Sequence, residues 1–314
     1  MERINLDDLF DRRLTFPDMS ASRRLSRMVG VDEPKSRLSK ILGILINPDG
    51  PRKWAERHHR GANTLLEYVE RRPPLVVLAG DVGTGKTELA ENIGDAVARQ
   101  EDLEVTLYPI SLAARGSGRV GEMTQLVAAA FDHVLEAAKK LKRSSGKAAG
   151  GIILLVDEAD ALTQSREEGQ MHHEDRAGVN AFIRGVDRLA EQHVPVAVIL
   201  CTNRLSAIDP AVQRRAAEVF SFGRPNDIQR RAVVEGPLTE AGFSSSQIDK
   251  MVAITGPRSK DGIGFTFSDL TQRVLPTLVL DAYPDRAITF ERAIQIVQNL
   301  TPTPQFLDVQ KANR

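Results

Sequence analysis

The sequence predicts a doubly wound α/β domain with a five-stranded parallel sheet, followed by a small domain made only of helices. Short, almost continuous runs of Val, Ile and Leu alternate with helix-length segments between residues 75 and 222, a pattern typical of a parallel sheet that is covered on both faces. The first of these runs leads directly into a glycine-rich turn and a helix. After Gly223 the helical segments follow one another without a convincing strand.

The order of the elements follows from the apolar pattern. We predict strands at residues 75–79, 103–107, 152–156, 196–200 and 218–222. Helices are predicted at 86–99, 120–141, 175–191 and 227–238, from the capping pattern Ser244-x-x-Gln247 onward, and at 267–282 and 289–300. An amphipathic segment is predicted at 28–45, and residues 48–64 read as a loop with room for a short helix. The predicted domains are a leader (1–24), a large α/β domain (25–223), a helical lid domain (224–302) and a tail (303–314).

Composition limits the function classes that remain. The 314 residues carry 42 Lys and Arg against 42 Asp and Glu, and this neutral balance argues against a protein whose main role is to neutralise nucleic-acid phosphates. Cys201 is the only cysteine, which excludes an internal disulfide and fits a reducing cytoplasm. No apolar run approaches the ~20 residues that span a bilayer, and the N-terminus is too acidic for a signal peptide. We therefore expect a soluble, cytoplasmic protein with no membrane partner.

The glycine-rich turn after the first strand predicts a phosphate-binding loop. Its residues are Gly80, Asp81, Val82, Gly83, Thr84, Gly85, Lys86 and Thr87. The spacing Gly-x-x-x-x-Gly-Lys-Thr lets consecutive backbone N–H groups turn inward around phosphate oxygens, and the next helix points its positive N-terminus at them. We expect Lys86 to reach the β and γ phosphates of ATP and the Thr87 hydroxyl to ligate Mg²⁺. The alternative is a plain turn, but the preceding strand and the following helix favour the phosphate site.

Two acidic residues end the third predicted strand. Asp157 is placed to hold Mg²⁺ through its waters, and Glu158 is placed to orient and deprotonate a water that attacks the γ phosphate. On their own, the two acids would also fit a strand end in solvent. Beside a phosphate loop, they predict hydrolysis.

Polar residues later in the chain extend the predicted site. Asn203 follows the next strand, and because the carboxyl ends of parallel strands meet at one edge, its amide is placed to bond the γ phosphate or the attacking water. Arg214 and Arg215 end a helical turn before the last strand, where an arginine can stabilise the phosphoryl group held by a neighbouring subunit. A turn-capping Asn and a surface basic pair are the alternatives.

Together these motifs resemble those of AAA+ ATPases, over roughly residues 25 to 300. Within the resemblance, Arg215 matches the arginine finger best and Arg214 second. The pachytene-checkpoint type, whose members remodel HORMA-domain proteins, is the most similar subfamily. Its resemblance rests on residues 157–166, 179–187 and 208–216.

The resemblance implies further nucleotide contacts. Val29 and Gly30 lie in the segment 28–32, which stands in place of the one that lines the adenine pocket. A nucleotide-sensing arginine is expected where this chain has Asp269. Arg273, one turn later, is therefore assigned that role.

A homo-hexameric ring that grips a polypeptide in its central pore is also implied. The first pore loop is expected at 113–121, with Arg115, Gly116, Arg119 and Val120 facing the pore, and the second within 167–174. The first loop lacks the aromatic residue common in the family. This departure either weakens the interpretation as a processive unfoldase or indicates a softer grip through Arg115, Arg119 and Val120.

We therefore favour an ATP-driven remodeller of a HORMA-domain protein. The short N-terminal part implies a bacterial version, of the kind found in anti-phage operons with a HORMA protein and a cyclic-oligonucleotide synthase, where the ATPase disassembles the activated complex and resets signalling. A nucleic-acid motor or clamp-loader-like subunit is the alternative, disfavoured by the neutral charge. A nucleotide-switched scaffold is disfavoured because the full set of catalytic residues is present.

Overall fold

The computed structural model describes residues 10–59, 63–111, 122–143, 147–162, 173–258 and 262–305. Two compact units make up the chain. The first comprises Met1–Arg27, Glu33–Ala79 and Thr87–Ser221, and the second comprises Met28–Asp32, Gly80–Lys86 and Phe222–Arg314. Residues 80–86 of the phosphate loop thus belong to the second unit, and Thr87 belongs to the first.

A six-stranded sheet is the centre of the first unit. Its strands are β1 (Leu14–Phe16), β2 (Leu75–Gly80), β3 (Val105–Ser111), β4 (Gly151–Asp157), β5 (Val196–Thr202) and β6 (Ala216–Phe222). Their order in space is β1-β3-β4-β5-β2-β6, with β3, β4, β5 and β2 parallel to one another. The predicted doubly wound α/β fold is confirmed, and the carboxyl ends of β2, β4 and β5 lie at one edge of the sheet.

Helices cover both faces of this sheet. They are α1 (Met19–Arg27), α2 (Asp32–Ile46), α3 (Asp49–His58), α4 (Asn63–Glu70), α5 (Lys86–Glu101), α6 (Glu122–Leu141), α7 (His173–Gln192) and α8 (Pro210–Gln213). Nearly every residue of β2, β4 and β5 is buried, and because successive strand residues point to opposite faces, both faces must be covered. Each buried Val, Leu or Ile contributes about 1.5–3 kcal/mol, so these central strands form a firm base for the loops at their ends.

Within its described residues, the second unit contains four α-helices around its own core. They are α9 (Asp227–Glu240), α10 (Ser245–Ile254), α11 (Leu275–Ala282) and α12 (Phe290–Asn299). The predicted capping box at Ser244 and Gln247 is confirmed, and Asn226 and Gln229 form a second one at the start of α9. A π-helical turn, Asp269–Val274, precedes α11. Pro276 at the start of α11 lacks an N–H group, which accounts for the change of helix type because the regular hydrogen-bond ladder is interrupted there.

The prediction of five strands was one strand short. β1 lies in the predicted leader and pairs antiparallel with β3, with Leu14 opposite Leu107 and Phe16 opposite Val105. Phe16 is only 2% exposed, and its ring lies against Gly94, where a Cβ would be 2.4 Å from Cδ2 of Phe16. A three-residue strand among arginines carries no local periodicity, because its stability comes from distant pairing.

Two local boundaries also differ from the prediction. Residues 49–58 are helical rather than mainly loop, because Pro51 falls in the first turn of α3, where a missing N–H breaks no intrahelical bond. The second predicted strand, 103–107, is found as β3 at Val105–Ser111. Within the described ranges, no helix combines the length and apolar composition needed to cross a membrane.

Candidate functional site

The backbone of the phosphate loop requires glycine, as Gly80 and Gly83 show. Gly80 has φ +154° and Gly83 has φ +72°, both in the region that side chains other than glycine rarely adopt. A Cβ on Gly80 would lie 2.0 Å from the carbonyl oxygen of Phe222, and one on Gly83 would lie 2.7 Å from Oγ1 of Thr266. The loop therefore keeps a tight turn of the kind that cradles anions with backbone N–H groups.

Lys86 folds back over this loop. Its Nζ donates to the carbonyl oxygens of Gly80 and Asp81, each at 2.8 Å, and the residue is only 5% exposed. Thr84 donates from Oγ1 to the same Asp81 carbonyl at 2.7 Å. The ammonium group is thus held inside the loop, where it adds positive charge to the donors available to a phosphate.

Thr87 and Asp157 meet at the end of the sheet in the first unit. The Thr87 hydroxyl donates to Oδ1 of Asp157 at 3.4 Å. Burial raises the pKa of the Asp157 carboxyl, because a buried negative charge loses hydration. A hydroxyl and a carboxylate are oxygen ligands of the kind Mg²⁺ prefers, so this pair fits that cation.

Glu158 is exposed and has an unusual backbone conformation. Its φ is +51°, and its N–H donates to Oδ1 of Asp157 at 2.8 Å. A left-handed conformation costs a residue other than glycine about 1–2 kcal/mol. Strain of this kind concentrates at functional sites, and here it sets the direction in which the chain leaves β4.

Asp160 links the end of β4 to the end of β5. Its carboxylate accepts hydrogen bonds from Thr202 Oγ1 at 2.6 Å and from the backbone N–H of Asn203 at 3.1 Å. These bonds fix the turn that carries Asn203 beside the turn that carries Glu158. Sequence reasoning predicted Asn203 but missed Asp160, although its position three residues after Asp157 was a signal that it shares the same strand end.

The two predicted finger arginines have different surroundings. Arg215 binds the carboxylate of Asp187 through Nε at 2.6 Å and Nη2 at 2.9 Å, and donates from Nη1 to the carbonyl of Ala211 at 2.9 Å. Arg214 is exposed. The guanidinium of Arg215 is therefore held in a fixed direction by its own chain, at the end of α8.

Residues predicted to surround the base and to sense the nucleotide lie in the second unit. Gly30, next to Val29, packs against Gln229 of α9, whose Nε2 would be 2.2 Å from a Cβ on Gly30. Cε of the neighbouring Met28 would be 3.3 Å from a Cβ on Gly85. The segment 28–32 therefore lies beside both the phosphate loop and the start of α9.

Arg273 lies on the π-helical turn of this unit, and its Nη1 donates to Oδ1 of Asp269 at 2.6 Å. The predicted pore-loop residues Arg115, Gly116, Arg119 and Val120, and most of the predicted second loop at 167–174, lie outside the described residues.

Known proteins share this arrangement. Residues 76–224 match the model of the ATPase family associated with various cellular activities (AAA). CD-NTase-associated protein 6 of Escherichia coli strain MS 115-1 is 61% identical over 306 residues, which cover 98% of each chain. A chain in the structure of the E. coli MS115-1 HORMA:CdnC:Trip13 complex is 60% identical, with a TM-score of 0.90, over 96% of this chain and 99% of that one. Putative pachytene checkpoint protein 2 of Caenorhabditis elegans is 28% identical over 212 residues, which are 64% of this chain and 45% of that protein.

Proposed function

Because the chain belongs to the AAA family of ATPases, we propose that it hydrolyses ATP at the loop of residues 80–87 and uses the free energy to remodel a HORMA-domain protein. The observation that carries the proposal is the contact between Thr87 and Asp157. Thr87 directly follows Lys86 in a loop whose glycines and buried lysine suit a polyphosphate. Phosphate binding and an oxygen-rich cation site on successive residues are what hydrolysis of a nucleoside triphosphate requires.

The residues of the phosphate loop and of the two strand ends have the following roles in this proposal. Lys86 and the loop N–H groups bind the β and γ phosphates, and Thr87 and Asp157 hold Mg²⁺. When bound, the cation neutralises charge on the phosphate oxygens. Glu158 accepts the proton of the attacking water, and Asn203 orients that water or the γ phosphate.

Arg215 acts in this proposal on the nucleotide of a neighbouring subunit in a homo-hexamer. Its supporting observation is the guanidinium at the end of α8, held rigidly by Asp187 and Ala211. A positioned arginine contributes roughly 10³ to 10⁵ in rate where such fingers have been measured. The exposed Arg214 is the second candidate for this position.

The partner is proposed from the relatives. The E. coli chain that matches this one with a TM-score of 0.90 occurs in a complex with HORMA and CdnC, and the 61% identical relative is named for its association with a CD-NTase. We assign this chain the same class of client, a HORMA-domain protein bound to a cyclic-oligonucleotide synthase. Disassembly of that complex would reset an anti-phage signal in the bacterial cytoplasm, a compartment that suits the single buried Cys201.

The test is affinity capture with the Glu158→Gln protein in ATP, using purified candidate HORMA-domain proteins. Lys86→Ala protein is the matched control, because it lacks the ammonium that binds phosphate. Retention of the HORMA-domain protein by the first variant and not by the second supports the proposal. Stimulation of the wild-type ATPase by DNA, with no HORMA retention, would instead favour a nucleic-acid motor.

A further inference from the structure

Arg224 connects the phosphate loop to the C-terminal segment of the second unit. Its Nε and Nη2 lie 2.8 and 2.7 Å from Oδ2 of Asp81. Nη2 also donates to the carbonyl of Thr303 at 2.7 Å, and Nη1 donates to the carbonyl of Gly264 at 2.7 Å. The Arg224 and Asp81 side chains are 11% and 15% exposed, so one partly buried guanidinium bridges three parts of the chain.

Asp81 is the point where this bridge meets the nucleotide site. Its Oδ1 accepts from the N–H of Val82 at 2.9 Å, and its carbonyl accepts from Lys86 and Thr84. A carboxylate inside a loop that binds phosphate would repel the ligand. Arg224 supplies the compensating positive charge and fixes the direction of the carboxylate.

The C-terminal end of the bridge is equally well bonded. The N–H and hydroxyl of Thr303 donate to Asp269 at 3.0 and 2.7 Å, while its carbonyl accepts from Arg224. Asp269 is 1% exposed. Burial alone would raise the pKa of Asp269, but hydrogen bonds from Thr266, Thr303 and Arg273 outweigh it and lower the pKa to about 2.

The residue just before the π-helical turn makes a second link to the phosphate loop, in addition to that of Arg224. The N–H of Ser268 donates to the carbonyl of Gly83 at 3.1 Å. Asp269, which anchors Thr303, is the next residue along the chain. The loop is therefore joined by hydrogen bonds to the rest of the second unit at two of its residues, Asp81 and Gly83.

We propose that residues 302–305 are a strap that sets the ATP affinity of the phosphate loop, with Arg224 as the positioning residue that connects Thr303 to Asp81. The inference rests on the proposed ATP site. Coupling of this kind is reciprocal, so ATP binding tightens the strap and any ligand that pulls the strap away weakens ATP binding. The C-terminal segment thereby becomes a place where nucleotide occupancy can be regulated.

The central test is Arg224→Gln in the full chain, with binding of a fluorescent ATP analogue and the KM and kcat of ATP hydrolysis as readouts. We expect the Kd and KM to rise roughly 5- to 150-fold, the usual range of coupling between sites, while kcat at saturating ATP changes far less. The double variant Asp81→Asn/Arg224→Gln removes the uncompensated carboxylate. It should recover only the affinity lost to the uncompensated carboxylate, because the link from Thr303 to the loop stays broken. Recovery to the wild-type Kd would show that Arg224 only neutralises Asp81 and would overturn the strap.

One matched pair and two further variants test the strap itself. Thr303→Ala should weaken ATP binding in the same direction as Arg224→Gln but less. Thr301→Ala, at the exposed threonine just before the strap, should leave ATP binding unchanged. Arg258→Ala loosens the end of α12, where Arg258 binds the carbonyls of Val297 and Leu300, and should also leave ATP affinity unchanged. Arg224→Lys keeps the positive charge and provides a second variant in case Arg224→Gln does not fold. Its Kd for ATP should lie between those of wild type and Arg224→Gln.

The outcomes separate the two proposals. Unchanged Kd and KM in folded Arg224→Gln or Arg224→Lys protein, or equal losses in the Thr301 and Thr303 variants, would overturn the strap while leaving the ATPase intact. A wild-type protein that neither binds nor hydrolyses ATP would remove the strap together with the proposed function.

Discussion

Asp160, three residues after β4, holds the turn that carries Asn203. Its replacement by asparagine gives a sharp test of the proposed site. The carboxylate accepts hydrogen bonds from Thr202 at 2.6 Å and from the Asn203 N–H at 3.1 Å. Asparagine keeps one acceptor oxygen and turns an NH₂ group toward the other donor. The loss of one hydrogen bond to a charged group costs about 1.5–3 kcal/mol.

If the lost hydrogen bond displaces the Asn203 amide and the whole free-energy cost raises the barrier of hydrolysis, kcat should fall roughly 10- to 150-fold. The assay is steady-state ATP hydrolysis, with ATP binding and chemical unfolding measured on the same protein. Asp132→Asn is the control, because Asp132 pairs with Arg188 at 2.6 Å on the surface, where an ion pair is worth about 0.2–1 kcal/mol. A kcat within twofold of wild type, with the unfolding free energy lowered by about 2 kcal/mol, would show that Asp160 supports only the fold.

Three other changes test different parts of the molecule. Glu158→Gln should reduce turnover by a factor of about 10² to 10⁴ and preserve ATP binding by equilibrium dialysis; unchanged turnover would remove Glu158 as the base. Arg215→Ala should abolish hydrolysis but spare nucleotide binding, whereas Arg214→Ala should be milder; loss of binding in the Arg215 variant would make that arginine structural. Asp269→Asn should lower the unfolding free energy by about 2 kcal/mol at pH 7. Because the folded-state pKa of Asp269 lies near 2, below its ordinary 3.8, this contribution is present above pH 4 and is lost as the pH falls toward 2. Chemical unfolding from pH 7 to 2 should therefore show wild type and variant converging, and a constant difference would contradict the assignment.

The parts of the fold that sequence predicted well are those with a strong local signal. Strands predicted at 75–79, 152–156 and 196–200 are found at Leu75–Gly80, Gly151–Asp157 and Val196–Thr202. Their runs of branched apolar residues are buried on both faces of the sheet, so composition alone marks them. The phosphate loop is a motif of consecutive residues, so it can be recognised without knowing any distant contact.

The missed features depend on residues far apart in the chain. Arg215 and Asp187 are separated by 28 positions, and Arg224 and Asp81 by 143. The sequence around a charged residue does not reveal its partner in an ion pair, and most charged residues are exposed to solvent. The three-residue β1 was missed for the same reason, since its evidence is a pairing with β3.

The positive φ of Glu158 has a consequence for how this protein would respond to selection. Glycine at that position would relieve about 1–2 kcal/mol of backbone strain, so Glu158→Gly should raise the melting temperature while removing the carboxylate proposed to activate water. A directed-evolution screen that rewards heat resistance alone would therefore enrich inactive protein at this codon. Retention of glutamate at this position would indicate selection for ATP turnover at the expense of thermal stability.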